Sequence, residues 1–130
     1  MRGVASEVSP SAGFRVFCYC KDCQAFARFL ARADVLDAAG GTDIFQMPPG
    51  RVKLTAGADA LRCLRLSHKG VFRWYADCCR TPIANSAGQG FPVMGMIHSF
   101  MDRDFFDRVA NGRSRGEVLG PPRLAALGLI

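Results

Sequence analysis

No apolar run in this chain approaches the roughly 18 residues that a helical membrane crossing requires, and the opening MRGVASEVSPSAG lacks the apolar centre of a secretory signal. Those two absences exclude a helical membrane anchor and set the expectation of a cytoplasmic protein with no membrane partner. No segment resembles an aromatic-rich RNA module or a two-His zinc finger, and no stretch repeats internally. At 130 residues the chain also lacks the length for two independent cores, so it is read as one domain. With 49% hydrophobic and 22% charged residues, it has enough apolar material to fold and is not a disordered tail.

Positive charge and sulfur are in better supply. Seventeen Lys and Arg against eleven Asp and Glu leave a net charge of +6, which favours anionic partners, whether nucleic acid, an acidic membrane surface or small carboxylates. The basic residues are scattered, apart from NGRSRGEVLGPPR, and a solvated surface is the plainer reading than a nucleic-acid face. Six cysteines without an export signal argue against a disulfide framework, because the cytosol keeps thiols reduced. Five fall in two groups, Cys18/Cys20/Cys23 and Cys78/Cys79, while Cys63 stands alone in a strand and reads as a small structural residue.

Periodicity places the first group. FRVFCY alternates as a strand does, with Phe14, Val16 and Cys18 on one side, and from Cys23 onward the period changes to that of a helix, with Cys23, Phe26, Ala27 and Leu30 on one stripe. AAGG at 38–41 reads as a turn, TDIFQM as a strand, and MPPG as a breaker. RVKLTAG and LRCLRLS read as two strands around a turn at Gly57–Asp59, followed by a third, VFRWYA, which together make an antiparallel meander. A last strand, VMGMIHSF, precedes a short helix over DRDFFDRVA, and the basic Gly/Pro-rich tail from residue 113 to 130 is expected to pack loosely on a domain spanning 1–112. Phe17, Phe72 and Trp74 are expected in the core, with Phe105 and Phe106 docking the late helix.

Zinc favours thiolates, and Cys-x-x-Cys lets two sulfurs of one tight turn reach a single ion at about 2.3 Å. Cys20 and Cys23 have that spacing, and Cys18, two residues earlier, shares a face with Cys20 if the backbone stays extended. Three thiolates leave a tetrahedral ion one ligand short. Cys78 or Cys79 would close the site if DCCRTP turns, whereas a water or an incoming thiol would leave it open. Against the metal stands the plainer possibility that these cysteines are small buried hydrophobes.

CYCKDCQAF resembles the Cys-x-Cys-x-x-Cys segment of the glutathione-dependent formaldehyde-activating enzyme (GFA-like) family, and RWYADCCRTPIAN resembles its later Cys-x-x-Cys-Gly-Ser-Pro segment. GGTDIFQ, KGVFRWYA and CCRTPIAN look most like a bacterial branch of that family whose activity is open. The likeness spans roughly residues 14–100. It implies a mainly β, zinc-stapled fold, a small β-tent of antiparallel sheet with one or two short helices. It also implies an open zinc on Cys18, Cys20 and Cys23 and a second, structural zinc, with Cys79, Thr81 and Pro82 matching the later motif. Ala76 replaces the first Cys of that motif and Arg80 its Gly, and Cys78 is an extra thiol. MRGVASEV holds no counterpart of the family's upstream Cys-x-Cys-Gly, so the expectation is either a late chain start or a lost second metal.

The first functional expectation is a zinc-dependent carbon–sulfur lyase acting on a thiol adduct such as S-hydroxymethylglutathione, with a glutathione-like thiol as its small-molecule partner. The second is a non-catalytic zinc domain that binds protein or nucleic acid. A thioredoxin-like redox site ranks third, because a β meander stands where crossover helices belong. No general acid is evident: His68 reads as a turn residue and His98 as a core residue.

Overall fold

A computed structural model describes residues 1–6, 13–88, 92–101 and 124–128. The chain runs through β1 (Arg2–Ser6), β2 (Phe14–Cys18), helix α1 (Lys21–Phe29), β3 (Thr42–Met47), β4 (Val52–Ala56), β5 (Leu61–Leu64), β6 (Phe72–Ala76), β7 (Thr81–Ser86), β8 (Met94–Ile97) and β9 (Leu124–Gly128). The fold is mainly β, as expected. Strands β2-β3-β8-β7-β6-β5 make one sheet and β4-β1-β9 a smaller one, all paired antiparallel.

Two-residue alternation on the central strands sorts the core into two layers. On β3, Ile44 faces α1 together with Phe26, Leu30 and Ile97, while Phe45 faces the other way into a cluster with Ala5, Met96, Ala84 and Phe100. The large sheet is therefore covered by α1 on one face and by β1 and β4 on the other. Coverage on both faces explains why TDIFQM is buried at nearly every position, Thr42 and Asp43 included.

Helix α1 begins because Cys20 caps it, its sulfur accepting the Cys23 amide at 3.3 Å, and because Asp22 lies in the first turn. Its stripe Cys23, Phe26 and Ala27 is buried, and Leu30 beyond it fully so. It ends in a Schellman arrangement: Arg32 N–H donates to Ala27 carbonyl and Ala31 N–H to Arg28 carbonyl, with Ala31 at φ 55 where glycine is usual.

Three expectations change. RVKLTAG and LRCLRLS do not pair with each other: β4 pairs with β1, and Gly57, at φ 75, carries the chain from the small sheet to the large one. The meander is instead β5-β6-β7-β8, and β7 was hidden by Pro82. That proline sits opposite Tyr75 beside a register shift, where a missing N–H is tolerated in a central strand. Part of the tail is ordered as well, since Leu124–Gly128 pairs along β1. The helix expected over DRDFFDRVA, with Phe105 and Phe106, lies outside the described residues.

Candidate metal centre

The strand-to-helix junction brings three sulfurs together. Cys18 ends β2, and Cys20 stays extended at φ −67 and ψ 153, so the two side chains do share a face. Cys23 reaches back from the first helical turn. The Cys18 and Cys20 sulfurs lie 3.3 Å apart, those of Cys23 and Cys18 3.4 Å apart, and all three within 4.8 Å of one another. A tetrahedral ion with bonds of about 2.3 Å would hold its sulfurs about 3.8 Å apart, so the set needs only small adjustments to take one. Cys20 is exposed, Cys18 half-buried and Cys23 buried, a gradient that packing alone does not ask of three small hydrophobes.

The electrostatics differ along that gradient. Partial burial pushes the Cys20 thiol up, but hydrogen bonds from the Cys23 backbone and the neighbouring thiols outweigh it, and the net direction is down. Burial pushes the Cys23 thiol up to about 12, against a hydrogen bond from Arg73 that favours the thiolate. A cation beside the Cys23 sulfur would favour its thiolate, as Arg73 already does in part.

All three cysteines open on a cavity of about 610 Å³ whose other walls include Val16, Ile44, Gln46, Arg73, Asn85 and Ser86. Arg73, on β6, is 4% exposed. Its Nη1 lies 3.5 Å from the Cys23 sulfur and 3.4 Å from Asn85 Oδ1, and its guanidinium stands 5.7 Å from the centre of the Phe26 ring. This residue escaped the sequence reading. Its available signal was a charged residue on the same strand face as Tyr75, which packs toward the helix.

Cys78 and Cys79 do occupy a turn, their sulfurs 3.8 Å apart, but the turn lies at the far end of the helix. Arg80 there donates to the Phe29 carbonyl, and Thr81 Oγ1, 3.0 Å from the Cys79 sulfur, accepts from Arg32 at 2.9 Å. The nine residues of α1 put about 13 Å between that turn and the Cys20 cap. Neither thiol joins the triplet, which among the described residues has no fourth His, Cys, Asp or Glu ligand. Desolvation raises the Cys79 thiol, yet Thr81, Cys78 and Arg32 together lower it overall, whereas Cys78 is raised, chiefly through its bond with Cys79.

The other candidates lie elsewhere. Cys63 is exposed on β5. His98 hydrogen-bonds the Val35 carbonyl at 2.9 Å, and the His68 backbone carbonyl accepts from Arg65 in a turn. Trp74 packs against the core, whereas Phe17 is 49% exposed beneath the Arg15 guanidinium, contrary to its expected place inside.

A family model described as a family of unknown function, DUF6151, matches residues 2–129, nearly the whole chain. The chain belongs to DUF6151. Comparison with curated proteins and with solved structures gives no match. The DUF6151 match takes in β1 through β9, so the small sheet and the thiol knuckle lie within one family unit.

No helix among the described residues is long and apolar enough to cross a membrane.

Proposed function

We propose that this DUF6151 protein holds one zinc ion on Cys18, Cys20 and Cys23 and acts as a carbon–sulfur lyase on a thiol adduct of the S-hydroxymethylglutathione kind. The observation that carries the reading is a three-sulfur set, with no fourth His, Cys, Asp or Glu ligand among the described residues, at the wall of a cavity of about 610 Å³. A closed structural site would have a fourth protein ligand. Zinc bound there would supply a Lewis-acidic position at which a thiol ionises near pH 7.

The chain's own residues do the rest. Cys20 stays anchored by the Cys23 amide, which fixes the knuckle before any ligand arrives. Val16 and Ile44 offer an apolar wall, while Gln46, Asn85 and Ser86 offer polar atoms to orient a substrate. The left-handed backbone of Arg80, φ 59, where the GFA-like motif carries glycine, is consistent with the resemblance.

The test is exchange spectroscopy of ¹³C-formaldehyde with glutathione, which reads the making and breaking of the C–S bond directly. Zinc-loaded protein is expected to accelerate exchange and Cys20→Ser to leave it at the uncatalysed rate. Unchanged exchange with loaded protein would reject the lyase and leave a non-catalytic zinc domain.

A further inference from the structure

Arg73 is almost fully buried, and its contacts are few. Among the described residues its guanidinium meets the Cys23 sulfur, Asn85 and the Phe26 ring, and it forms no ion pair with a carboxylate. Two half-buried arginines differ: Arg15 pairs with Asp43 and Arg32 with Asp34. A buried guanidinium without a carboxylate partner carries a large desolvation cost.

We infer that Arg73 is the charge partner of the thiolate set, making a divalent ion on Cys18, Cys20 and Cys23 electrically neutral within the fold. Three thiolates around a divalent ion leave one negative charge, and one guanidinium cancels it. A monovalent ion would leave the group negative and a trivalent one positive, so Arg73 selects for the divalent class. The loaded thiolate set would place its surplus negative charge beside the buried guanidinium 3.5 Å from the Cys23 sulfur, so Arg73 favours the loaded state. Its hydrogen bond also removes electron density from the Cys23 sulfur, as outer-shell donors do. Arg73 is thus a positioning residue that acts through Cys23.

This rests on the metal reading above, and one titration separates the two. Wild type, Arg73→Met and Arg73→Lys are titrated anaerobically with Co²⁺ against a competing chelator, with far-UV circular dichroism confirming that each is folded. The expected result is a loss of about ten- to a hundredfold in affinity for Arg73→Met, a smaller loss for Arg73→Lys, and a sulfur-to-cobalt band moved to lower energy in both. A purely structural arginine would lower the melting temperature without moving that band. Should Arg73→Met fail to fold, Arg73→Gln serves as the neutral variant with the same expected loss. Wild-type affinity and an unmoved band in the folded variants would overturn this inference alone. A wild type that binds no cobalt would overturn both it and the metal reading.

Discussion

The backbone amide of Cys23 donates to the sulfur of Cys20 at 3.3 Å, so the atom that starts helix α1 is also a member of the thiol triplet. Helix formation and site formation are thereby one event. Whatever aligns the first turn also aligns the sulfurs, and a ligand drawing on Cys20 leaves its cap in place, because a thiolate keeps lone pairs free to accept.

Two substitutions at one position separate these roles. Cys20→Ser retains an oxygen that can cap but loses a soft ligand, so the metal-free protein keeps its stability while zinc affinity falls by at least about a hundredfold. Cys20→Ala loses both, with a further cost of about 1 kcal/mol. Chelator competition and urea denaturation of the metal-free forms check the two parts separately.

A second clamp holds the knuckle from the α1–β3 loop. Tyr19 donates its hydroxyl to Asp37 Oδ2 at 3.0 Å, and Asp37 Oδ1 accepts the amides of Ala39 and Gly41, each at 2.8 Å. A Cβ on Gly41 would stand 2.5 Å from the Tyr19 ring and 2.7 Å from the Asp37 carboxylate. Gly41→Ala is expected to push these side chains apart and break the Tyr19–Asp37 bond, destabilising the fold by about 1 kcal/mol and weakening metal binding along with it, as read by denaturation and titration of the same sample.

The same carboxylate supplies a pH signature. The Gly41 amide first, and Tyr19 with it, holds the Asp37 carboxyl below its usual range. A group depressed in the folded state contributes stability above its unfolded pKa, and that contribution is lost as pH falls through the folded one. The stability difference between wild type and Asp37→Asn is therefore expected to be full at neutral pH and to shrink progressively as pH falls below about 4, followed by thermal denaturation across that range.

Cysteine alkylation reads the far end of the helix. Cys79 is lowered and Cys78 raised, so iodoacetamide followed by peptide mass spectrometry is expected to modify Cys79 first near pH 7.5, with its rate profile displaced to lower pH. Thr81→Val removes the hydroxyl 3.0 Å from that sulfur and should slow Cys79 severalfold, and the lost Arg32 hydrogen bond should cost the fold about 1 kcal/mol. Equal labelling of both thiols would contradict the geometry of this turn.

The site proved more legible than the sheet order. Cys18, Cys20 and Cys23 are near in sequence, and the switch from a two-residue to a helical period placed them with only local physics. Pairing partners depend on distant segments. β1, RGVAS, has no alternation of large apolar and polar residues to mark it as a strand, yet it is what β4 pairs with in place of β5. Pro82 concealed a central strand because its tolerance depends on a register shift opposite Tyr75, which no local pattern reveals. Cys78 and Cys79 were close to the triplet in chemistry but not in space, since the length of α1 stands between them.

The central claim is an open, three-sulfur zinc centre, and zinc K-edge X-ray absorption on anaerobically purified protein tests it most directly. The expected result is one zinc per chain with three sulfurs at about 2.3 Å and one lighter ligand, lost in Cys23→Ser. Protein that carries no zinc, or zinc held by four sulfurs, would contradict it.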